Sequence, residues 1–470
     1  MSYESARDWA MNEFSGVAFR DIRWQRRLVA VGAQAARAPA GKVSEVFGDA
    51  AARQGAYALL ECDDVARAQI AAAMFAADAR RCAGETFVYV PVDGSSITLT
   101  DQGREKGFGS IGARKFGARG LKVISALLVS TRGVTLGLGS QIWWTRTGEA
   151  KKRRHGRRRT EDKETQHWLE AMQQTRQTFD DNAPQTRCWF QLDREGDAWP
   201  IITEADKEGH WFTIRGNHNR RVVLEGGSKT YLRSLVGQRP VTCMYLLPVS
   251  AGPARRGRSA NMVVRACAAT LDFRDKRTKR QFSKTVNVVL AREEGTTPAG
   301  EKPIEWLLLT NRPVETTQDL EQIIYGYSHR WRIEDFHRTW KSGACNVEEM
   351  QLRSVEAAEK WATILAGAAV RIERLKLLAR KEPEQPATNE FSLIEIRAIV
   401  LLRFGDKKKR RQIETGTLPT VKQAVYWVAE IGGYTGKSSG GPPGSTTIAR
   451  GLREVIAAVR VITAMEANCD

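Results

Sequence analysis

The sequence lacks the cysteine and histidine patterns that hold structural zinc. Its seven cysteines stand singly at positions 62, 82, 188, 243, 267, 345 and 469, without a CxxC pair. The six histidines are scattered, and His329 and His337 lie eight residues apart, which is not a zinc-ligand spacing. These absences argue against a zinc-binding module and favour reduced thiols in an intracellular protein.

Long apolar runs are absent as well. No run approaches the ~20 residues that a membrane-spanning helix needs, and the first residues, MSYESARDWAMNEF, lack the apolar core of a secretory signal. We therefore expect a soluble, cytoplasmic protein without a membrane partner. Because a chain of 470 residues is too long for one hydrophobic core, we expect roughly two to four domains.

Acidic residues are too few to balance the basic ones. The chain has 73 lysines and arginines against 54 aspartates and glutamates, which gives a formal net charge of +19 and a pI near 9.8. This balance points first to nucleic acid, with an anionic membrane surface as the alternative. Four separate basic clusters favour a polyanion that contacts several faces. They are KKRRHGRRR (151–159), ARRGR (254–258), DKRTKR (275–280) and KKKRR (407–411).

Residues 1 to about 75 are predicted to form short helices: ARDWAMNEF, DIRWQRRLVAVGAQAAR and AARQGAYALLE. Arg23, Arg26, Arg27 and Arg37 recur near helical spacing, so the second helix has a basic face. A merely solvated face is one interpretation. The overall charge favours the other, a helical module that reads DNA.

From residue 86 the pattern becomes one of strands. TFVYVPVD ends in Asp93, a Gly-Ser turn leads to SSITLTD, and KVISALLVST and GVTLGLGSQIWW form a hairpin. Next come a helix around DKETQHWLEAMQQTRQTF, a strand RCWFQLD ending in Asp193, a helix near 197–208 and a strand at 211–215. This order predicts an α/β core.

The remainder of the chain divides into three parts. Residues 216–313 alternate in short apolar runs, which predicts a β-rich insertion. A long helix over 317–341, with Thr317 as its N-cap, and a helix over 354–380 then close the core. The segment 381–390 (KEPEQPATNE) has the composition of a linker, and mostly helical sequence follows it.

One stripe of the predicted 317–341 helix carries polar residues of several kinds. At 100° per residue, Tyr327, Arg330, Glu334 and Lys341 fall within a wedge of roughly 60°. A stripe that faced the core would be apolar, and a solvated face would scatter its charges. This stripe is therefore predicted to face phosphate, a metal ion or both.

Asp93, Asp193 and Glu334 are the candidate metal ligands. The strands that end in the two aspartates are expected to be neighbours in an open sheet, and Glu334 follows on the later helix. Three converging carboxylates repel one another unless a cation lies between them, and Mg²⁺ or Mn²⁺ prefers such oxygen ligands. Taken singly, each aspartate would be explained as the acidic end of a strand at a turn.

These motifs resemble those of the bacterial cut-and-paste DDE transposases of the insertion sequence 4 group, over nearly the whole chain. The shared stretches are ARDWA, RRLVAVGAQ, QGAY (54–57), LDREGD (192–197), WLLLT (306–310), HRWRIEDFH (329–337) and IGGY (431–434). The Y-R-E-K signature of that family, with two, three and six residues between its members, is matched by Tyr327, Arg330, Glu334 and Lys341.

The resemblance implies an α/β fold with an RNase H-like catalytic core. In this interpretation residues 1–75 form a helical DNA-binding domain, and residues 76–380 form the catalytic domain, with its β-rich insertion at about 216–313. Residues 381–470 would then form a helical dimerisation domain.

The resemblance also implies roles for individual residues. Asp93, Asp193 and Glu334 would bind two Mg²⁺ ions, for which Mn²⁺ would substitute, while Tyr327, Arg330 and Lys341 would hold phosphates of the transposon end. Asp197, Asp335 and Glu195 lie close in sequence but outside the signature, so we expect them either to be structural or to support the metal ligands from behind.

Two tryptophans and one arginine are implicated in the same way. Trp306 matches the platform on which these enzymes stack a flipped base, Trp331 resembles the residue that fills the gap left in the duplex, and Arg215 matches a phosphate contact. Stacking of this kind contributes ~1–3 kcal/mol per base. Ordinary core packing is the alternative for each tryptophan.

The resemblance implies a transposase that binds the terminal inverted repeats of its element, pairs two ends in a homodimer and excises the DNA through a hairpin. The freed 3′ ends would then join target DNA, with no small-molecule substrate, at the bacterial nucleoid. Two alternatives stay open. One is an inactive DNA-binding regulator, expected to have lost a triad residue or its N-terminal segment, and the other is a metal-dependent nuclease without strand transfer.

Overall fold

The computed structural model describes residues 6–103, 105–111, 117–146, 164–206, 209–252, 255–275, 278–405, 418–436 and 441–467. The predicted basic clusters at 151–159 and 407–411 lie outside these residues, and the other two are described in part. The helices of the described ranges are α1 (Ala6–Phe14), α2 (Ile22–Arg37), α3 (Val43–Val46), α4 (Ala50–Glu61), α5 (Arg67–Arg81), α6 (Thr165–Asn182), α7 (Trp199–Glu204), α8 (Leu232–Gly237), α9 (Thr317–Ser328), α10 (Trp331–Lys341), α11 (Val355–Lys381), α12 (Leu393–Phe404), Val421–Ile431 and Ser445–Ala467.

The strands form one mixed sheet. They are β1 (Phe87–Thr98), β2 (Gly109–Ser110), β3 (Arg119–Val129), β4 (Thr135–Trp144), β5 (Arg187–Leu192), β6 (Trp211–Arg215), β7 (Arg221–Val223), β8 (Lys229–Tyr231), β9 (Cys243–Val249), β10 (Arg258–Arg274), β11 (Gln281–Glu293) and β12 (Glu305–Thr310). The order is β2-β3-β1-β5-β6-β12-β11-β10-β7-β8, with β4 beside β3 and β9 beside β10. The β1-β5 and β5-β6 pairs are parallel, and β1 pairs with β3 in the antiparallel sense.

The helices predicted near the N-terminus are present as α1, α2 and α4. The side chains of Asp21 and Asp49 accept backbone N–H groups at the starts of α2 and α4, so both helices are capped at the residue that precedes them. A further helix, α5, follows and was not predicted. Its apolar side packs into the core through Ile70, Met74 and Phe75.

The strand that carries Asp93 is longer than predicted. No turn occurs at Gly94 and Ser95, because both residues pair with β3, opposite Ile124 and Val123. The prediction of a Gly-Ser turn was therefore wrong, since ladder pairing with β3 outweighs the local preference of these residues for a turn. Asp93 lies within β1 rather than at its end.

The predicted proximity of the two aspartate-bearing strands is confirmed, since β1 and β5 are direct neighbours. Successive side chains of β1 alternate between the two faces of the sheet. Val88, Val90 and Val92 pack with α6 on one face, whereas Phe87 and Tyr89 join the larger core on the other. Helices therefore cover both faces.

The stretch predicted as β-rich is built from strands β7 to β12, with the short helix α8 among them. The long hairpin of β10 and β11 joins the rest of the sheet through β12, which pairs with β6. This extension places Trp306 of β12 two strands from β5.

The single long helix predicted over 317–341 is in fact two helices. α9 ends at Ser328 and α10 begins at Trp331, and the true N-cap of α9 is Thr316 rather than Thr317. Between the helices, His329 and Arg330 donate their backbone N–H groups to residues three positions earlier, Gly326 and Tyr327. This tightening interrupts the helical register that the predicted stripe assumed.

Helix α11 is the common support of the N-terminal and C-terminal helices. The indole N–H of Trp361 donates to the Gly41 carbonyl (2.7 Å), and the buried Lys360 ammonium donates to the carbonyls of Leu60 and Cys62. Beyond α11, the segment 381–390 is not a free linker, because buried Glu390 accepts hydrogen bonds from Arg374. No helix in the described ranges combines the length and apolar character needed to cross a membrane.

We predict that Gly41 is required for docking of the N-terminal helices. A Cβ atom at Gly41 would collide with the backbone carbonyl oxygen of Asn346, whereas one at Gly48 would meet no atom within 4 Å. Gly41→Ala is therefore expected to lower the free energy of unfolding by about 1–3 kcal/mol. Gly48→Ala is the matched control and should change it little. Denaturant unfolding measures both, and equal stability of the two variants would contradict this packing.

Candidate active site

Asp93 and Asp193 lie side by side at corresponding positions of β1 and β5. The last registered pair of these parallel strands is Val92 with Leu192, so each aspartate is the next residue of its chain. The Asp193 side chain accepts the Glu195 N–H (2.7 Å) and caps a short 3₁₀ helix, whereas the Asp93 side chain accepts the N–H of Gly94 (2.8 Å). The sheet register thus brings two carboxylates together.

Glu334 approaches the pair from the first turn of α10. Arg330 connects it to Asp93: the guanidinium Nη2 lies 2.5 Å from Glu334 Oε1, and Nη1 lies 3.5 Å from Asp93 Oδ2. The Arg330 residue is 5% exposed. A buried guanidinium therefore lies between two of the three predicted metal ligands.

The electrostatics of Asp93 reflect its burial first and its acidic neighbours second. Burial is the main cause that raises the pKa of Asp93 to about 7; the charges of Asp193 and Glu334 contribute in the same direction, and Arg330 and the Gly94 N–H oppose them. Like charges raise a carboxyl pKa only at short range. All three predicted ligands therefore belong to one cluster.

The residues of this cluster fit a hard divalent cation, because they offer only carboxylate oxygens and repel one another without a cation. In the arrangement described here, no three Asp, Glu, His or Cys side chains of the described residues are grouped so that they could share one ion. Arg330 supplies the positive charge between Asp93 and Glu334 instead.

Tyr327 is deeply buried, with 1% of its surface exposed. Its hydroxyl completes no hydrogen bond within the described structure, although it lies near the Arg215 guanidinium. Burial raises the pKa of Tyr327, and the charges of Arg330 and Arg215 oppose this shift. The Tyr327 ring meets the Trp306 ring edge to face, with 5.3 Å between centroids. Tyr327, Arg215 and Trp306 thus form one group beside the carboxylates.

Lys341 is the last residue of α10 and lies beside Glu348. Its ammonium lies 3.7 Å from Glu348 Oε1, and the same oxygen accepts the backbone N–H of Thr98 in β1 (2.9 Å). Lys341 also lines a cleft of about 460 Å³ together with Gly94 and Glu195. The cleft therefore begins directly beside the two aspartates.

Two residues of this cleft, Lys122 and Trp144, were not among the predicted site residues. Cross-strand pairing aligns Ser96, Lys122 and Trp144 in one row over β1, β3 and β4. The Lys122 ammonium lies 5.8 Å from the Trp144 ring centroid and 3.7 Å from Glu164. A lysine within the mostly apolar stretch LKVISALL was a signal that could have identified this row.

The two predicted stacking residues differ in their surroundings. Trp306 is partly buried against the core. Trp331 is 53% exposed, so the alternative of core packing is wrong for this residue, and its ring lies 4.9 Å from the Arg330 guanidinium. Arg215 donates to the Glu305 carbonyl on β12 (3.1 Å).

The predicted basic face of α2 is exposed. Arg23 forms an ion pair with Asp21, Arg26 is exposed, and Arg27 packs its guanidinium 5.6 Å from the Trp24 ring centroid. Arg37 is only partly exposed, and burial lowers its pKa. No hydrogen bond or ion pair within the described ranges links these arginines to the carboxylate cluster.

The acidic residues expected to be structural have mainly structural contacts. Buried Asp197 accepts the backbone N–H groups of Asn217 and His218 and pairs with Arg220. Asp335 pairs with Arg338 on the same helix. Glu195, in contrast, is exposed and lines the cleft beside Lys341.

We predict that Asp93 destabilises the metal-free fold at high pH. Its pKa is about 7 in the folded protein and ~3.9 in an unfolded chain, so between these values only the folded state binds the proton. The free energy of unfolding should therefore fall as pH rises through this window. Asp93→Asn should stabilise the protein by about 1 kcal/mol at pH 8 and hardly at pH 4.

Thermal unfolding in EDTA measures this effect. Asp197→Asn is the matched control, because that carboxylate is satisfied by backbone donors and Arg220 and its loss should destabilise the protein at both pH values. A lower melting temperature for Asp93→Asn at pH 8 would show that the cluster does not strain the fold.

Comparison with known protein families agrees with this geometry. Residues 6–65 match the model of the transposase DNA-binding domain, and residues 105–371 match the model of the transposase DDE domain. The second match covers more than half of the 470 residues, contains Asp193 and Glu334, and begins after Asp93. The chain therefore belongs to the DDE transposases, DNA-binding enzymes that cleave DNA and transfer its strands.

Proposed function

We propose that Asp93, Asp193 and Glu334 are the catalytic carboxylates and that they hold two Mg²⁺ ions, for which Mn²⁺ substitutes. The observation that carries this proposal is geometric: paired strands place Asp93 and Asp193 at equivalent positions, and Arg330 connects Asp93 to Glu334. Transposase DDE domains generally use divalent metal ions. Such ions stabilise the attacking and leaving oxygens of a phosphodiester as Lewis acids.

The cations around the cluster would position the DNA. Arg330 offers a fork of donors that suits a phosphate, and Lys341 offers a point charge at the entrance of the cleft. The Tyr327 hydroxyl, which lies against the Arg215 guanidinium without a hydrogen bond of good geometry in the described structure, would donate to a phosphate oxygen. Each of these groups would hold the scissile strand against the carboxylates.

The finer assignment is to the hairpin-forming transposases of the insertion sequence 4 group. The order β4-β3-β1-β5-β6, antiparallel up to β1 and parallel beyond it, supports an RNase H-like core. Trp306 would receive a flipped base beside Tyr327. Exposed Trp331 would fill the gap that the base leaves in the duplex.

In this reaction the enzyme binds the terminal inverted repeats of its element through residues 1–75, with Arg23, Arg26 and Arg27 on the contacting face of α2. Residues 76–380 nick the DNA, form and open the hairpin, and join the 3′ ends to target DNA at the nucleoid. Residues 381–470 pair two chains into a homodimer on the paired ends. An inactive regulator is disfavoured because all three carboxylates are present.

The first test concerns Glu334. Glu334→Gln preserves shape but removes the charge that retains a metal ion, so nicking, hairpin formation and strand transfer should fall together by ~10³-fold or more. Binding to a duplex that carries the end of the element should survive. A gel-shift and a cleavage assay on the same duplex measure both properties.

Asp335→Asn is the matched control for Glu334→Gln. Asp335 is the adjacent residue of α10 and pairs with Arg338, away from Asp93, so its substitution should leave cleavage largely intact once folding is verified by thermal unfolding. Normal cleavage by Glu334→Gln would refute the proposed catalytic role.

The second test separates a base platform from core packing. Trp306→Ala should lower hairpin yield by about 5-fold or more, while first-strand nicking changes little, because only the flipped base needs the indole. Trp306→Phe, which retains a smaller aromatic ring, should give a hairpin yield between those of wild type and Trp306→Ala. Strand-specific labels resolve nicked and hairpin products on denaturing gels. Equal loss of nicking and hairpins would favour a packing role for Trp306.

A further inference from the structure

In the DNA-free structure Arg330 contacts two carboxylates, which a role in phosphate binding alone does not require. Its two terminal nitrogens reach two different carboxylates, Glu334 at 2.5 Å and Asp93 at 3.5 Å. Its side chain is only 7% exposed. A guanidinium so placed offers these two carboxylates the positive charge that a divalent ion would otherwise supply.

We propose that Arg330 is an internal competitor of the metal ion: it neutralises Asp93 and Glu334 in the DNA-free protein, and a DNA phosphate draws it away when the ends bind. This inference rests on the proposed function, because it assumes that the three carboxylates are the metal ligands. It adds a regulatory step, in which the enzyme becomes competent to bind metal tightly only on DNA.

Charge balance supports this order of events. When all three carboxyl groups are ionised they carry three negative charges, and Arg330 cancels one of them. When a DNA phosphate binds the guanidinium instead, the cluster regains one uncompensated negative charge. A divalent cation can then neutralise that charge. Arg330 suits this exchange because its planar fork binds carboxylate and phosphate with the same geometry.

The surroundings of Arg330 leave it a path to the solvent side. Arg330 lies in the tightened turn between α9 and α10 and directly precedes α10. Its partner Glu334 has 41% of its side chain exposed, and the adjacent Trp331 is 53% exposed. Tyr327, immediately behind, presents a buried hydroxyl without a hydrogen-bond partner in the described structure.

Mn²⁺ binding to the DNA-free protein tests the competition directly. Titration followed by electron paramagnetic resonance should show that Arg330→Gln binds Mn²⁺ about 10-fold or more tightly than wild type, within the usual range of coupling between two sites. Arg330→Lys, which keeps the charge but cannot fork between two carboxylates, should lie between them. It also serves as the informative variant if Arg330→Gln does not fold.

Arg338→Gln is the matched control. Arg338 lies on the same helix, is largely exposed and pairs with Asp335, so its loss should leave Mn²⁺ affinity unchanged. The double variant Arg330→Gln with Glu334→Gln should lose the gain, which would locate the ion in this cluster. Equal Mn²⁺ affinity of wild type, Arg330→Gln and Arg330→Lys would overturn the proposal.

A second experiment uses the thermodynamic linkage between metal binding and DNA binding. Because coupling is reciprocal, Mn²⁺ should tighten the binding of a pre-cleaved end duplex to wild type, and this gain should shrink in Arg330→Gln. Fluorescence anisotropy measures both affinities without turnover when the pre-cleaved duplex ends in a 3′-dideoxynucleotide, since it then has neither the scissile bond nor a 3′-hydroxyl to transfer. An equal gain in both proteins would overturn the exchange, whereas failure of the proposed function would appear separately, as normal cleavage by Glu334→Gln.

Discussion

The carboxylate pair of β1 and β5 is the constraint on which the rest of the candidate active site depends. Parallel pairing in register places Asp93 and Asp193 at equivalent positions. Burial of Asp93, and after it the nearby charge of Asp193, raises the pKa of Asp93 to about 7. A carboxylate placed beside another in this way is stabilised by a nearby cation. Arg330, which directly precedes α10, supplies that charge to Asp93.

Packing against α11 holds α10 in the position that lets Arg330 and Glu334 reach the carboxylate pair. The indole N–H of Trp340 donates to the Ala362 carbonyl (2.9 Å), and the Thr339 hydroxyl donates to Glu373 (2.6 Å). The same α11 receives the N-terminal helices through Trp361 and Lys360. The DNA-binding region and α10, which carries Glu334, therefore share one support, so a displacement of either would be transmitted to the other through packed side chains.

The local sequence pattern predicted which candidate residues lie on neighbouring elements better than it predicted the contacts that surround them. Asp93 and Asp193 could be placed on neighbouring strands because strand order in an α/β sheet follows general rules. The predicted turn at Gly94 failed because pairing with β3, a tertiary interaction, overrides a local preference. The contact of Arg330 with Glu334 follows from i,i+4 spacing, but its contact with Asp93 depends on how α10 docks on the sheet, which no spacing reveals.

Several groups in this region lack the partners that would stabilise them in the DNA-free protein. Bound DNA could supply those partners. Asp93 is buried among like charges, the Tyr327 hydroxyl has no partner in the described structure, and Trp331 exposes half of its surface. Natural cores seldom leave such groups without compensation, and strained groups concentrate where a ligand will complete them. A phosphodiester strand would supply acceptors for Tyr327 and Arg330 at once, and the free energy of those contacts would become available to pull Arg330 from the carboxylates.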